Sequence, residues 1–338
     1  MNATLSGDVV RAGRQAREQF YDARGYGRPD DGSLVLAPVE AAHLLFRGDL
    51  GSVDGMGFRE FLASAACPAL DFLVYKDLRD RGFYLSPARE GWVADPAGAD
   101  FVVYPRGKGP WDDEIAHRVR VESERATVPA AELGDVVLAV VDEESEITYL
   151  DTDRPEVTGA TAYDPPEGVP GSLLDDRVLV WDPPAALYEH GFYGQPLDRD
   201  GETVETLQVS LVEAAYLVRR GALTVEGGAD AVLNRGRAVE GERFDRRLRV
   251  YETLRNRGVV PKTGYKFGAD FRTYADVESV SELSHSELLV RVLSGDHVFA
   301  PRDLALDVRL AGGVRKRMVF ALTDADDISW LSAERLTP

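Results

Sequence analysis

The sequence predicts an α/β protein of mixed α+β type, built by tandem duplication. Each half has an N-terminal mixed α/β domain followed by a small α/β domain with a mixed sheet. Three observations lead there. Five stretches recur in the same order in the two halves. Each half changes partway from helix-forming to strand-forming sequence. The last part of the second half reads strand, strand, helix, strand, strand.

The recurring stretches come in pairs: RGYGRP (24–29) with GFYGQP (191–196), and VEAAHLLFRGDL (39–50) with VEAAYLVRRGAL (212–223). Next are LVYKDLRDRGF (73–83) with RVYETLRNRGV (249–259), and ADFVVY (99–104) with ADFRTY (269–274). The last pair is LAVVDEESEITYL (138–150) with FALTDADDISWL (320–331). The offset drifts only from 167 (194 − 27) to 182 (321 − 139). Five ordered matches do not arise by chance.

In each half a short amphipathic helix comes first and stops at a glycine, Gly48 or Gly221, which suits a left-handed C-cap. A longer helix follows. Phe244, Leu248, Tyr251 and Leu254 recur every three to four residues along it, and Gly258 ends it. Its first-half counterpart ends at Gly82 and is expected to kink or start at Pro68. Strands are expected at FVVY, HRVRV, VVLAVV and EITYL, and again at FRTY, ELLVRVL, RMVFAL and ISWL. Pro301 opens a helix with Leu304, Val308 and Ala311 on one face, ended by Gly312-Gly313. Residues 151–172 are rich in Pro, Gly, Asp and Thr without periodicity and read as a linker. The expected divisions are therefore 1–88, 89–150, the linker 151–172, 173–262 and 263–338.

The chain has 338 residues and a net charge of −19. An acidic surface opposes nucleic-acid binding. Yet only five residues are lysine (Lys76, Lys108, Lys262, Lys266, Lys316), against 34 arginines. Acid excess with lysine scarcity fits a very salty cytoplasm, where the Debye length is about 3 Å at 1 M salt and global charge matters less. Cys67 is the only cysteine, so neither an internal disulfide nor a cysteine-built zinc site is expected, and it reads as a small core residue. No apolar run reaches membrane-spanning length and the N-terminal residues lack a signal-peptide core, so a cytoplasmic location is expected.

The two halves differ in chemistry. Aligning VRV (290–292) on VRV (119–121) sets His285 opposite Glu114. Aligning Ala321 on Ala139 sets Lys316 opposite Gly134, while Tyr274 matches Tyr104. From Val121 to Ala139 is 18 positions, and from Val292 to Ala321 is 29. The first half therefore lacks about three helical turns, the segment that holds Arg309 and leads to Lys316.

TGYKFGADFRTY, SHSELLVRV, VRLAGGVRKRMVFAL and DRVLVWDPPAALYEHGFYGQP closely resemble the archaeal tRNA-splicing endonuclease family. The resemblance spans essentially all of the second half, and the first half is similar to the degenerate copy in tandem-repeat, homodimeric members. Where the family usually reads AHSVRK, this chain has Ala311-Gly312-Gly313-Val314-Arg315-Lys316. The resemblance implies nuclease-like second parts in each half and metal-independent RNA cleavage by an attacking 2′-hydroxyl, with no cofactor. It makes Tyr274 the base, His285 the acid and Lys316 the stabiliser of charge on phosphorus. A tyrosine ordinarily titrates near 10, so a neighbouring cation has to help it. Arg309 is implied to grip a bulged nucleotide, with Arg302 and Arg315 in the same basic surround. The acidic loop of Asp142, Glu143, Glu144 and Glu146 is implied to dock against a neighbouring unit. The implied substrate is precursor tRNA folded as a bulge–helix–bulge, and a homodimer would supply two sites for two cuts.

Plainer readings stand beside these. A tyrosine closing a strand usually packs, a histidine between serines usually turns or caps, and a lone lysine is usually solvated. The arginine-rich helix face could pair with the chain's own acidic loops. A metal-dependent nuclease using Asp324, Asp326 and Asp327 is the second reading, and a non-catalytic RNA-binding or assembly subunit the third. His43, His117, His190 and His297 show no metal-ligand spacing.

Overall fold

The computed structural model describes every residue except 97, 113, 199–203, 284 and 326. The chain divides into two units. One comprises Met1–Asp153, Val298–Leu306 and Ala333–Pro338, and the other Arg154–His297 and Asp307–Ser332.

In the first unit, β1 (Asn2–Ser6), β2 (Val9–Ala12), β3 (Arg28–Asp30), β4 (Ser33–Leu36) and β5 (Ser52–Val53) form a sheet in the order β3-β4-β2-β1-β5. Only β1 and β5 run parallel. Then come β6 (Leu85–Pro87), β7 (Phe101–Val103), β8 (His117–Ser123), β9 (Val128–Pro129), β10 (Val137–Val141) and β11 (Ile147–Asp153). Leaving out β9, these are sheet neighbours in the order β6-β7-β8-β10-β11, with β8 and β10 parallel.

The second unit repeats the plan. β12 (Val169–Leu173), β13 (Arg177–Trp181), β14 (Gln195–Pro196), β15 (Thr206–Ser210) and β16 (Leu223–Thr224) lie in the order β14-β15-β13-β12-β16, with β12 and β16 parallel. β17 (Val260–Thr263), β18 (Phe271–Tyr274), β19 (Leu288–Ser294), β20 (Val298–Phe299), β21 (Arg317–Thr323) and β22 (Ile328–Leu336) follow. Leaving out β20, which pairs with β9 inside the first unit, the order is β17-β18-β19-β21-β22, with β19 and β21 parallel. Register agrees too: Phe101 pairs with Val119 and Val119 with Val137, as Phe271 pairs with Val290 and Val290 with Val319. This is the pairing the VRV alignment expects.

The helices sit where the glycines predict. Pro38–Phe46 is followed by Gly48 at φ 74°, and Leu211–Arg219 by Gly221 at φ 73°. Pro68 starts its helix (Ala69–Asp80) rather than kinking it. In the Arg243–Asn256 helix, Phe244, Leu248, Tyr251 and Leu254 are all buried, each worth roughly 1.5–3 kcal/mol. They join Phe271, Val290, Val292, Val319 and Ala321 in one core. Strand alternation then turns Arg272, Tyr274, Leu289, Arg291 and Met318 to the opposite face. The Pro301–Gly313 helix lies on that side, with Asp307 paired to Arg291. Its place between β8 and β10 is held only by the 3-10 turn Ala130–Glu132.

Two features were not legible beforehand. A helix runs over Gly228–Glu240, buried only at Val232, Leu233 and Gly236. Gly236 is required there, because a Cβ would lie 2.3 Å from the Phe244 ring. The 151–172 stretch begins in β11 and ends in β12. Between them, Gly159 N–H donates to Arg257 O at 2.9 Å, Ala160 N–H to Ala275 O at 2.7 Å and Thr161 N–H to Gly258 O at 3.0 Å. It is held by backbone bonds, which leave no apolar pattern to read.

Candidate active site

Tyr274 is the last residue of β18, His285 lies three residues before β19, and Lys316 immediately precedes β21. Because β18 is antiparallel to β19 and β19 parallel to β21, all three positions fall at the same edge of the sheet. Thr273 pairs with Leu288 and Leu288 with Arg317. One step further out, Glu287 N–H donates to Thr273 O at 3.2 Å and Arg317 N–H to Glu287 O at 3.1 Å. Lys316 then closes the group, its Nζ donating to the carbonyl of Ser286 at 2.6 Å, the residue next to His285.

Lys316 is set by how its helix ends. Lys316 N–H bonds Ala311 O at 2.9 Å and Arg315 N–H bonds Gly312 O at 3.0 Å, the paired contacts of a Schellman motif. The residue between turns, Arg315, has φ 56°, a left-handed conformation usually given to glycine. Burial, with the Arg272 guanidinium as a second cause, lowers the Lys316 pKa below the ordinary lysine value. Its ammonium also lies 5.7 Å from the centre of the Phe267 ring.

Tyr274 is buried, packed with Phe192, Val260 and Val277, and the Arg272 guanidinium stands 5.9 Å from its ring centre. The His285 ring is exposed, and among the described residues no capping bond or ion pair holds it. Arg309 and Arg302 are exposed on the Pro301–Gly313 helix and Arg315 is exposed after it. Among the described residues none of the three has an ion pair, so this surface is not spent on the chain's own carboxylates.

The first unit treats the same three positions differently. Tyr104 donates to Ser86 Oγ at 2.9 Å and receives Arg28 at 3.4 Å. Glu114 is paired with Lys108 at 3.1 Å. Gly134 only donates its N–H to Thr152. The acidic loop is a tight exposed turn between β10 and β11. Asp142 accepts from Glu144 N–H and Glu146 N–H at 2.9 and 2.8 Å, and Glu143 pairs with Arg125. Of the proposed metal carboxylates, Asp326 lies outside the described residues. The turn carrying Asp324 and Asp327 is held by Arg249, which donates to the carbonyls of Asp324, Ala325 and Asp327. Among the described residues no group of three or more His, Cys, Asp or Glu is placed to hold a metal ion.

Sequence reasoning passed over Arg272, Lys262 and Glu213. Glu213 caps the Leu211–Arg219 helix, accepting Ser210 N–H at 3.0 Å and Gly194 N–H at 3.1 Å. Lys262 approaches it at 3.6 Å. The one available signal was that Lys262 is one of five lysines, and no pattern tied it to Glu213 across 49 residues.

Comparison with known proteins is consistent along the whole chain. Residues 244–330 match the family described as tRNA intron endonuclease, catalytic C-terminal domain. Residues 1–62 and, again, 169–234 match the tRNA intron endonuclease N-terminal domain. A tRNA-splicing endonuclease of Haloarcula marismortui is 68% identical over 340 residues, covering 100% of both chains. One of Natronomonas pharaonis is 64% identical over 339 residues, again 100% of both. One of Methanococcoides burtonii is 38% identical over 367 residues, 99% of each chain.

Proposed function

The chain belongs to the tRNA intron endonuclease family, and from that membership we propose that Tyr274, His285 and Lys316 cut precursor tRNA at both intron boundaries within a bulge–helix–bulge. Its activity is endonucleolytic removal of tRNA introns. The observation that carries the finer reading is the shared edge of β18, β19 and β21, with Lys316 Nζ tied to the residue beside His285.

The proposed chemistry needs no metal. The ribose 2′-oxygen attacks the adjacent phosphorus while Tyr274 takes its proton. The P–O5′ bond breaks and His285 supplies a proton to the departing 5′-oxygen. Lys316 balances the negative charge that builds on the non-bridging oxygens. The products are a 2′,3′-cyclic phosphate and a 5′-hydroxyl. An exposed His285 suits exchange of protons with RNA, and Arg272 is a fixed cation beside Tyr274. Arg309, with Arg302 and Arg315, offers unpaired guanidinium groups to phosphates and unstacked bases. One triad per chain and two cuts per substrate favour a homodimer in the cytoplasm. In it the Asp142–Glu146 turn serves as the docking element, and the four-part division with residues 263–338 as the catalytic domain describes each subunit.

The test is to incubate purified chain with a bulge–helix–bulge RNA in chelator and identify the ends. Cyclic phosphate and 5′-hydroxyl termini are expected. Ends of 3′-hydroxyl and 5′-phosphate, or dependence on divalent metal, would overturn the mechanism and favour the carboxylate reading.

A further inference from the structure

Strand pairing sets Lys262 of β17 directly opposite Arg272 of β18. Like charges directly across an antiparallel pair repel, and these two are not spread into open solvent. Lys262 Nζ reaches the carbonyls of Phe192 and Gly194 at 2.7 and 2.8 Å. Arg272 Nε is buried with no hydrogen-bond partner, and no carboxylate lies within ion-pair distance of its guanidinium among the described residues. An unmet buried donor of this kind is costly.

Both side chains line a cavity of about 390 Å³ within the second unit, whose other charged walls are Asp176, Arg177, Glu213 and Arg247. Four cations thus face two carboxylates. Three of the cations are engaged: Arg177 with Asp176 at 2.8 Å, Arg247 with Glu240 at 2.6 Å and Asp270 at 3.0 Å, and Lys262 with Glu213 at 3.6 Å. Arg272 is the one left over. Burial also lowers the Lys262 pKa, Arg255 and Arg272 add to that, and Glu213 opposes it. An anion in the cavity would relieve the same repulsion.

The first unit has the corresponding place and closes it. There the register sets Ser86 opposite Val102, so both strand cations are gone. Arg28, at the position of Gln195 in the YGRP and YGQP pair, fills the space instead. Its guanidinium donates to Trp92 O at 2.6 Å, Gly27 O at 2.9 Å, Ser86 Oγ at 3.3 Å and Tyr104 OH at 3.4 Å. The half that carries the triad leaves an opening walled by cations, and the half that lacks it does not.

We propose that this cavity is a second phosphate site, which holds a phosphodiester of the RNA strand next to the one being cut. The proposal rests on the cleavage reading above for its RNA, since Arg272 joins the cavity to Tyr274. With the site occupied, Arg272 gains its missing acceptor and the strand is fixed on both sides of the scissile bond.

The test uses the full chain carrying Lys316→Ala, so that RNA is bound and not cut. Adding Arg272→Gln is expected to weaken binding about tenfold and to lower the salt slope of log K by about one ion. Arg272→Lys should recover part of the loss. Methylphosphonate substitution along the RNA should reveal one sensitive non-scissile phosphate, whose sensitivity vanishes with Arg272→Gln. The double variant Lys262→Ser, Arg272→Val reproduces the pair that the first unit accommodates, and guards against misfolding of the single variant. It should show the same losses. Unchanged affinity, slope and interference pattern in folded variants would overturn the site. Inorganic phosphate, compared with chloride at equal ionic strength, should raise the Tm only while Arg272 is present. If that rise occurs but the RNA measurements do not change, the ligand is a free anion and the RNA assignment is overturned. If the unmodified chain fails to cut RNA at all, the cleavage reading falls, while the binding measurements still decide this one.

Discussion

The two halves each tie a helix to a glycine turn with one glutamate, fully buried in the first half and partly buried in the second, and they compensate its charge differently. Glu40 accepts Gly27 N–H at 2.7 Å and Ala37 N–H at 2.9 Å, while Glu213 accepts the equivalent bonds from Gly194 and Ser210. Burial pushes Glu40 up to about 7 against those bonds and the nearby Arg28 and Arg79. Burial is the largest influence on Glu213 too, but Lys262 and the hydrogen bonds from Ser210 and Gly194 together overcome it, and the carboxyl ends below its ordinary value. The first half therefore tolerates a marginal carboxylate within a closed structure. The second holds a full ion pair, and with it a cationic wall beside the triad. Duplicated architecture thus need not mean duplicated electrostatics: the halves share strand order and diverge in where positive charge is left available.

The sharpest way to break this contrast is at the chemistry. Lys316→Ala or His285→Ala is expected to lower single-turnover cleavage at least about a thousandfold, while Tyr104→Phe should leave it unchanged. Equal losses from Tyr104→Phe would end the division into one competent and one closed half.

Next in size are two opposing pH dependences in the first unit. Glu40, raised when folded, contributes stability that is fully present below pH 4.5 and lost as pH rises through about 7. His43 is lowered to about 4 by burial, followed by Arg79 and Arg47. Its Nδ1 meets Tyr26 OH at 2.9 Å and its Nε2 has no partner. Its contribution is present above pH 6.5 and lost as pH falls through about 4. Each slope is on the order of 3 kcal/mol at about 1.4 kcal/mol per pKa unit, and in the native chain they largely cancel. Tm against pH should therefore tilt in opposite directions in the two variants. Glu40→Gln should lose stability toward acid, and His43→Tyr, the residue at the equivalent Tyr216, should gain it. Two flat profiles would refute the assignment.

A smaller effect is expected at Arg315. Arg315→Gly should keep stability and lose only the RNA affinity that the guanidinium supplies, whereas Arg315→Val in a left-handed conformation should cost about 1–2 kcal/mol and also slow single-turnover cleavage at saturating RNA by shifting Lys316. The smallest is at the two helix starts. Ser210→Ala should cost about 1 kcal/mol, and Ala37→Ser in the first half, where no side-chain oxygen caps the helix, should gain a similar or smaller amount by thermal melting.

Much of this was legible in the sequence because it rests on local rules. Glycines at 48, 221, 82 and 258 end helices in left-handed conformations, and alternating apolar residues mark the strands. Alignment on Val-Arg-Val agrees with the sheet register, whereas Tyr274, His285 and Lys316 were named together through the family resemblance. The rest depends on partners that leave no pattern. The Lys316 bond goes to a main-chain carbonyl, which any residue at 286 would supply. The Glu213–Lys262 contact spans 49 positions. The Gly228–Glu240 helix is set by a glycine fitted against Phe244 rather than by an apolar stripe.

The parallel pair in each catalytic-type sheet has one more consequence. Joining β8 to β10 takes the 13 residues 124–136, while joining β19 to β21 takes the 22 residues 295–316, at the same register. A parallel crossover needs roughly 10–12 residues. The shorter connection is therefore close to the geometric minimum and has little freedom to vary. The longer one carries surplus chain that the sheet does not need. Leu304, Val308 and Ala311 of its helix are buried, so the exposed positions, Arg302 and Arg309 among them, are the ones that can change at least cost to the fold. The exposed face of this crossover can therefore vary in sequence while β18, β19 and β21 keep their register.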